Sequence, residues 1–369
     1  MTAAIPAVSP QHQFPCKQCG ANLQFEPGAQ SLKCPYCSAE QAIPSVPGHI
    51  AELDFLAYLQ QLPDGDGTHE ILTVHCGNCG AETGMQPDVT AALCPFCGCG
   101  IVATGASKKS IRPQGLLPFK VSKDQSSQLF RQWVAGLWFA PGALKKHAQC
   151  AIIHGVYVPA WTYDTITETD YTGDRGDDYW ETESYTETDA QGNTVQRTRE
   201  VQKTRWCPAS GHVRNNFQDL LVMATRTLPP KYLDRLQPWD LPELTPYADE
   251  YLSGFVAESY QVKLNEGFET AKGLTQPAIN KTVCRDIGGD HQRISSTRID
   301  YRNITFKHLL LPVWISAYQF QNKTFRFLVN ARSGEVQGER PWSAMKIVLL
   351  VIAIIAIIAI VAGIIGSRR

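Results

Sequence analysis

The feature that most constrains this chain is a pattern of four paired cysteines that occurs twice. Each copy reads C-x2-C-x14-C-x2-C, and every cysteine of the second copy lies sixty positions after its counterpart in the first. The copies are Cys16, Cys19, Cys34 and Cys37, and Cys76, Cys79, Cys94 and Cys97. Neighbouring positions repeat at the same offset, as in Gly20/Gly80 and Pro35/Pro95. This self-similarity indicates an internal duplication of a module of about 25 residues.

The spacing predicts two structural Zn²⁺ sites. Two thiolates converge at each C-x2-C turn, and two such turns complete a tetrahedron that leaves no open coordination position. Gly20, Gly80 and Gly98 directly follow three of the turns, where a positive φ is expected. A disulfide scaffold is the alternative, but it needs an oxidising compartment. The N-terminus has neither a basic nor an apolar region, so we expect no secretory signal.

The other cysteines and histidines give weaker indications. Cys99 follows the second set closely, but Ala39 stands at the matching offset in the first, so we expect that Cys99 is not a ligand. His147, Cys150 and His154 could surround a metal or form a Cys–His pair. Their segment is typical of a chain entering a β-strand, so packing is the favoured interpretation and no catalytic residue is predicted.

The C-terminal region predicts a membrane anchor. Residues 347–366 form an uncharged apolar run of twenty residues. At about 1.5 Å per residue, such a helix spans the roughly 30 Å core of a bilayer. Trp342 and Lys346 precede the run, and Arg368 and Arg369 follow it. Because zinc thiolates need reducing conditions, we expect the body in the cytoplasm and the C-terminus outside.

The region between the cysteine modules and this run predicts α+β structure rich in antiparallel strands. Ser122 and Gln125 have capping-box spacing and begin a helix. Hairpins are expected over 179–205 and around 321–323, and a largely helical segment over 246–272. Segments 116–119, 158–161 and 311–314 share an apolar–Pro–apolar pattern that predicts related strand beginnings, because proline cannot donate to a strand ladder.

The predicted fold class is therefore multidomain, with two small four-cysteine zinc ribbons, an α+β centre and one C-terminal transmembrane helix. The predicted boundaries are 1–45 for ribbon 1, 46–70 for a linker with a short helix, 71–105 for ribbon 2, 111–344 for the central region and 347–366 for the transmembrane helix.

Nearly the whole chain resembles a bacterial family of zinc-ribbon, C-terminally membrane-anchored proteins. The matching segments are the two ribbons and residues 117–120, 138–141, 155–159, 307–314 and 334–341. Members are labelled as zinc-ribbon proteins of the transcription-factor-B type, or as relatives of primosomal protein N′, a superfamily II helicase. The resemblance implies a bacterial source and an inner-membrane location, and it implies no established activity.

Charge and motifs narrow the function. The chain lacks the G-x-x-x-x-G-K-[ST] loop that a superfamily II motor requires, which excludes ATP-driven unwinding. Residues 1–110 carry four Lys and nine acidic residues, and each four-thiolate zinc site adds a formal −2. Nucleic-acid binding depends on Lys and Arg at phosphates, so it is the less favoured alternative. We expect a membrane-tethered zinc-binding adaptor for protein partners.

Overall fold

The core of the protein is a nine-stranded mixed sheet in which three strands are unusually long. The structure, a computed structural model, describes residues 14–44, 50–62, 69–84, 91–102, 106–139, 141, 153–188, 194–320, 323–339 and 343–367. The long strands are β11 (His154–Thr188), β12 (Thr194–Met223) and β15 (His291–Phe320). β11 lies between β12 and β15 and pairs with both in antiparallel fashion.

Short strands complete this sheet around β15 and β11. They are β4 (Leu53–Asp54), β10 (Gly115–Leu116), β13 (Thr245–Pro246), β14 (Val256–Ala257), β16 (Lys323–Asn330) and β17 (Val336–Gly338). β10 runs parallel to β15, and β14 runs parallel to β11. The remaining described strands belong to the cysteine modules.

The first cysteine module forms a three-stranded sheet, and the second forms a three-stranded sheet and a two-stranded sheet. The first contains β1 (Gln24–Phe25), β2 (Ser31–Lys33) and β3 (Glu40–Ala42). The second contains β5 (His69–His75), β6 (Glu82–Gly84), β7 (Ala91–Leu93), β8 (Gly100–Val102) and β9 (Ala106–Ser110). The two modules pack on opposite faces of the central sheet, so neither is a separate globular unit.

Alternation along β11 and β15 explains this arrangement. Successive side chains of a strand point to opposite faces. Tyr157 and Leu310 share a hydrophobic cluster with ribbon 1, whereas Val158 and Leu311 share one with ribbon 2. Residues 156–161 of β11 and 309–315 of β15 are continuous apolar runs, and both of their faces are covered, as is usual for a buried central strand.

The described part of the chain also forms α-helices. They are α1 (Phe55–Gln61), α2 (Lys123–Gly136), α3 (Pro230–Leu233), α4 (Leu264–Ile287) and α5 (Ala344–Ser367), with 3₁₀ turns at Asp234–Leu236, Leu241–Glu243 and Asp249–Leu252. The capping box predicted for α2 is confirmed, since Ser122 and Gln125 exchange both hydrogen bonds. Phe130 and Val134 bury the apolar face of α2 on the ribbon 1 side.

The two predicted hairpins are present. β11 and β12 pair from Thr188↔Thr194 inward, and β15 pairs with β16 from Phe320↔Lys323. The three apolar–Pro segments lie side by side in the sheet, with Leu116 next to Leu310 and Leu310 next to Pro159. Their prediction as strand beginnings is wrong for all three segments, because β10 ends at Leu116 and the prolines of the other two segments are internal to β11 and β15.

Each internal proline lies where a neighbouring strand changes. On one side of β11, Pro159 lies between the β14 pairing, which includes Tyr157, and the β12 pairing, which begins at Ala160. Pro312 lies between the β10 pairing at Leu310 and the β16 pairing from Val313. A missing N–H interrupts no ladder at such a junction, so the strand continues through it.

The helix predicted over 246–272 is wrong for 246–263 and confirmed for 264–272. The chain instead forms the 3₁₀ turn at Asp249–Leu252 and β14, and α4 begins only at Leu264. Gly254 has φ of +87° between these elements. Tyr251 and Phe255 pack on ribbon 1, with their rings 5.2 Å and 6.3 Å from that of Phe25, so tertiary contact overrides helical periodicity here.

The predicted transmembrane helix over 347–366 is corrected, and with it the predicted fold class and inner-membrane location. A helix must present about 20 consecutive apolar residues to cross the hydrocarbon core of a bilayer. Among the residues that the structure describes, no helix is long and apolar enough to do so. The described part of the chain has two four-cysteine clusters and a sheet-rich core.

Candidate metal centres

All four C-x2-C turns have the same backbone geometry. In each, the N–H of the first cysteine donates to the carbonyl five residues on, and the N–H four residues on donates back to that cysteine. The residue four positions after the first cysteine, directly following the turn, has φ between +58° and +76°. Glycine occupies this position at Gly20, Gly80 and Gly98, as predicted, and Ser38 occupies it in the remaining turn.

The turns bring the eight predicted cysteines together as two groups of four. Within each group the Sγ atoms all lie within 4.8 Å of one another. In ribbon 1 the Sγ–Sγ distances are 3.5 Å for Cys16–Cys37 and 3.4 Å for Cys19–Cys34. In ribbon 2 the corresponding distances, Cys76–Cys97 and Cys79–Cys94, are both 3.6 Å.

These distances fit a four-thiolate metal site. A tetrahedron with Zn–S near 2.3 Å has sulfur atoms about 3.8 Å apart, whereas a disulfide requires about 2.0 Å. Hydrogen bonding from the backbone of Cys37 lowers the pKa of the Cys34 thiol to about 6, against the opposing effect of burial. The donor set suits zinc or another thiophilic ion, so the coarse prediction of metal binding agrees with the structure, and the identity of the ion stays a prediction.

Ribbon 1 is joined to one face of the sheet by its own core residues. Phe25 donates its N–H to the carbonyl of Ser253 at 3.0 Å, and Gly28 donates to Phe119 at 2.9 Å. Cys16 and Cys34 are buried in the shared cluster, while Cys19 and Cys37 are exposed. One side of this four-sulfur group is therefore accessible to solvent.

Ribbon 2 is held more deeply on the opposite face. Three of its four ligand candidates are buried, and Cys79 is half-buried. Gln261 donates from Nε2 to the carbonyl of Gly80 at 2.8 Å, and Ser259 donates its N–H to Glu82 at 2.9 Å. The neighbouring carboxyl of Glu258 accepts from the hydroxyls of two threonines, and burial raises its pKa to about 8.

The remaining sequence candidates do not join these groups. The carbonyl of Cys99 closes the Cys94 turn at 2.8 Å, as that of Ala39 closes the Cys34 turn, so the backbone rather than the side chain is used. Cys99 belongs to neither described metal-ligand group. His154 is half-buried at the start of β11. His147 and Cys150 lie outside the described residues.

Two buried polar groups on β15 escaped the sequence analysis. The Nζ of Lys307 lies 2.9 Å from Asp219 and 3.1 Å from Glu52. His308 donates from Nδ1 to the carbonyl of Ile111 at 2.7 Å, and burial lowers its pKa to about 4. The one available signal was a Lys-His pair directly before an apolar strand run.

The fold and the sites define a class of protein with two four-cysteine clusters, suggestive of zinc-ribbon-like sites, on the two faces of one sheet-rich body. No family model and no solved structure matches the chain. It is 24% identical over 337 residues to an uncharacterised protein, YdjG, of Bacillus subtilis strain 168. That similarity covers 90% of this chain and 91% of the relative. Because that relative is uncharacterised, the similarity assigns no activity.

Proposed function

We propose that the protein is a zinc-dependent protein-interaction adaptor in which both metal centres are structural. The observation that carries this proposal is that each four-cysteine cluster contributes sulfur atoms to the hydrophobic core on one face of the same sheet. Each module is too small to fold by burial alone, so metal binding supplies folding free energy. Loss of metal would therefore disturb the sheet itself.

The exposed surface of this sheet supports the proposal that the partner is a protein. Beyond Gly176↔His291 the sheet narrows to β11 and β12, and no third described strand accompanies them. On this two-stranded ribbon the Trp180 side chain is 66% exposed. Exposed aromatic residues are enriched where proteins meet proteins.

The charges of this two-stranded β11–β12 ribbon, which is distinct from the two zinc ribbons, disfavour nucleic acid as the partner. Its basic side chains form cross-strand ion pairs, Lys203 with Glu181 and Glu183, and Arg199 also with Glu183. A phosphate backbone would have to compete with these carboxylates, and the same face would repel it. The alternative of a nucleic-acid-binding zinc-ribbon protein is therefore less well supported.

The test is affinity capture with the full chain, combined with metal analysis. Native protein should retain zinc and the same specific protein partners after a salt wash, whereas Cys76→Ser/Cys79→Ser should lose one zinc and those partners. The matched control is Cys99→Ala, which changes a neighbouring thiol outside the four-sulfur group. Partners that stay bound to the double variant would contradict the proposal, and so would capture of nucleic acid alone at physiological salt.

A further inference from the structure

A cleft lies along the outer edge of β12, away from both metal centres. It encloses about 300 Å³. Consecutive strand residues Leu220 and Leu221 form its floor, and Leu274 of α4 and residues of the segment after α3, among them Trp239 and Leu241, also line it. Because Trp239 and Leu241 belong to the ribbon 2 cluster, whereas α4 packs on the other face, the cleft opens between the two coverings of the sheet.

The floor of the cleft is an unpaired strand edge. No described strand pairs with the outer side of β12. Ala224 donates its N–H to the carbonyl of Pro159 at 2.9 Å, so the backbone of Ala224 points towards β11. Direction alternates along a strand, so Val222 also points inward and Leu221 points outward. Leu221 thus presents one N–H and one C=O to the cleft.

The wall of the cleft includes Trp239, a residue with an unsatisfied hydrogen-bond donor. Trp239 is 7% exposed, and its Nε1 has no partner among the described residues. An unsatisfied buried N–H is destabilising, so an acceptor that reaches the indole gains a hydrogen bond. On the α4 side, Leu274 is 51% exposed, which leaves apolar surface for an incoming side chain.

One end of the floor is negatively charged. Asp219 also lines the cleft, and it adopts a left-handed conformation with φ of +51° at a bulge in β12. It shares the ammonium of Lys307 with Glu52, and two carboxylates around one ammonium leave a formal charge of −1. A basic side chain is favoured at this end.

We infer that the cleft binds an extended segment of a partner protein, which adds a strand to β12 at Leu221. In this arrangement an apolar side chain packs between Leu274 and Leu241, a backbone carbonyl accepts from the Trp239 indole, and a Lys or Arg lies beside Asp219. Strand addition of this kind derives affinity from main-chain hydrogen bonds and specificity from side-chain pockets. The inference rests on the proposed adaptor function and names the chemistry of its partner.

The test uses the zinc-loaded full chain and a fluorescein-labelled peptide that alternates valine with threonine and ends in lysine. We expect saturable binding by fluorescence anisotropy. Leu274→Asp should weaken binding at least tenfold, while Leu56→Asp, which alters a similarly exposed leucine of α1, should not change it. Trp239→Phe should weaken binding about fivefold, the effect of one lost hydrogen bond. The same peptide with N-methylated amides should not bind.

Other outcomes overturn the inference. Absence of binding at millimolar peptide would do so, as would equal binding by Leu274→Asp and the native chain or by the N-methylated peptide. A concentration-dependent dimer that Leu274→Asp abolishes would identify a second copy as the occupant instead. Zinc content and partner capture are measured on the same samples. If the chain binds two zincs and keeps its partners but does not bind the peptide, the result refutes peptide binding in the cleft and leaves the proposed adaptor function intact.

Discussion

At the scale of single residues, the cysteine turns depend on one backbone conformation that only some side chains tolerate. Three of the four turns use glycine at the left-handed position, and Ser38 adopts φ of +58° at the fourth. A non-glycine residue in this region costs on the order of 1 kcal/mol. Ribbon 1 therefore carries a local strain that ribbon 2 avoids.

Exchanging these residues tests that reasoning. Ser38→Gly should raise the free energy of unfolding by about 0.5–1 kcal/mol, and Gly98→Ser should lower it by about 1 kcal/mol. A Cβ at Gly98 would meet no atom within 4 Å, so backbone conformation alone sets the effect. Denaturant unfolding of zinc-loaded protein measures both changes, and effects of equal sign would show that the turns are not equivalent.

His308 gives a residue-scale prediction about pH. Burial lowers its pKa from 6.5 to about 4, so its neutral form is favoured in the folded chain. Above pH 6.5 its contribution to stability is complete, and it is lost as pH falls towards 4, because the unfolded chain then binds a proton that the folded chain does not. The loss is up to about 3 kcal/mol.

Comparison with a non-titrating side chain isolates this effect. His308→Asn keeps a donor near the carbonyl of Ile111 and should flatten the fall in unfolding free energy between pH 6.5 and about 4. Metal loss at acid pH affects both proteins equally, so the difference between their profiles is the relevant measurement. Parallel profiles would mean that His308 is not the responsible group.

At the scale of elements, the two ribbons share turns but differ in exposure. Cys19 and Cys37 are exposed in ribbon 1, whereas among the four ligand candidates of ribbon 2 only Cys79 is more than slightly accessible. A chelator must reach the sulfur atoms to withdraw a metal, so the two centres should release it at different rates.

Chelator competition measures this difference. Protein with two zincs should release one quickly and one slowly to a colorimetric chelator, and the quick phase should be missing from Cys16→Ser/Cys19→Ser. Cys99→Ala should keep both phases and both zincs, while Cys97→Ala should keep one zinc. A single phase of two equivalent zincs would refute the assignment, and so would a quick phase that survives in the ribbon 1 variant.

The outer part of the β11–β12 ribbon is a separable element. Its ion pairs, such as Arg197–Glu187 and Arg199–Glu183, join its own two strands. Exposed pairs of this kind contribute little to stability. Replacing 181–201 by an Asn-Gly turn between the paired residues Trp180 and Gln202 should change the unfolding free energy by less than about 1 kcal/mol.

The same variant distinguishes a role of the β11–β12 ribbon in protein stability from a role in partner binding. It should keep two zincs and the thermal unfolding of the parent, and any protein partner that it loses must contact the removed ribbon. Partial unfolding or loss of zinc would show that the ribbon supports the body, contrary to its exposure.

At the scale of the whole molecule, features formed by residues close in the chain were predictable from the sequence, and features formed by distant residues were not. The cysteine spacing was sufficient to pair the eight sulfur atoms correctly into two groups, because the geometry of a C-x2-C turn is local. The capping box of α2 and the two hairpins were likewise predictable from adjacent residues. Prediction failed over 246–263, where Tyr251 and Phe255 pack against ribbon 1 instead of following helical periodicity.

Helix α4 shows why a whole element was mostly missed. The helix contains Gly267, Gly273 and Pro277, residues that disfavour a helix and obscure its helical hydrophobic periodicity. Gly267 is required by close packing, since a Cβ there would collide with the Tyr163 hydroxyl. The residue that weakens the helical signal is thus the one that lets the helix approach the sheet.

The sequence by itself predicted the two four-cysteine groups, because each C-x2-C turn is formed by residues that are neighbours in the chain. Only the tertiary structure decided that the groups lie on opposite faces of one sheet, that Lys307 and His308 are buried, and that β12 keeps an open edge between Trp239 and Leu274. Those relations join residues that are distant in the chain, and they arise from strand pairing and burial, which no local pattern encodes.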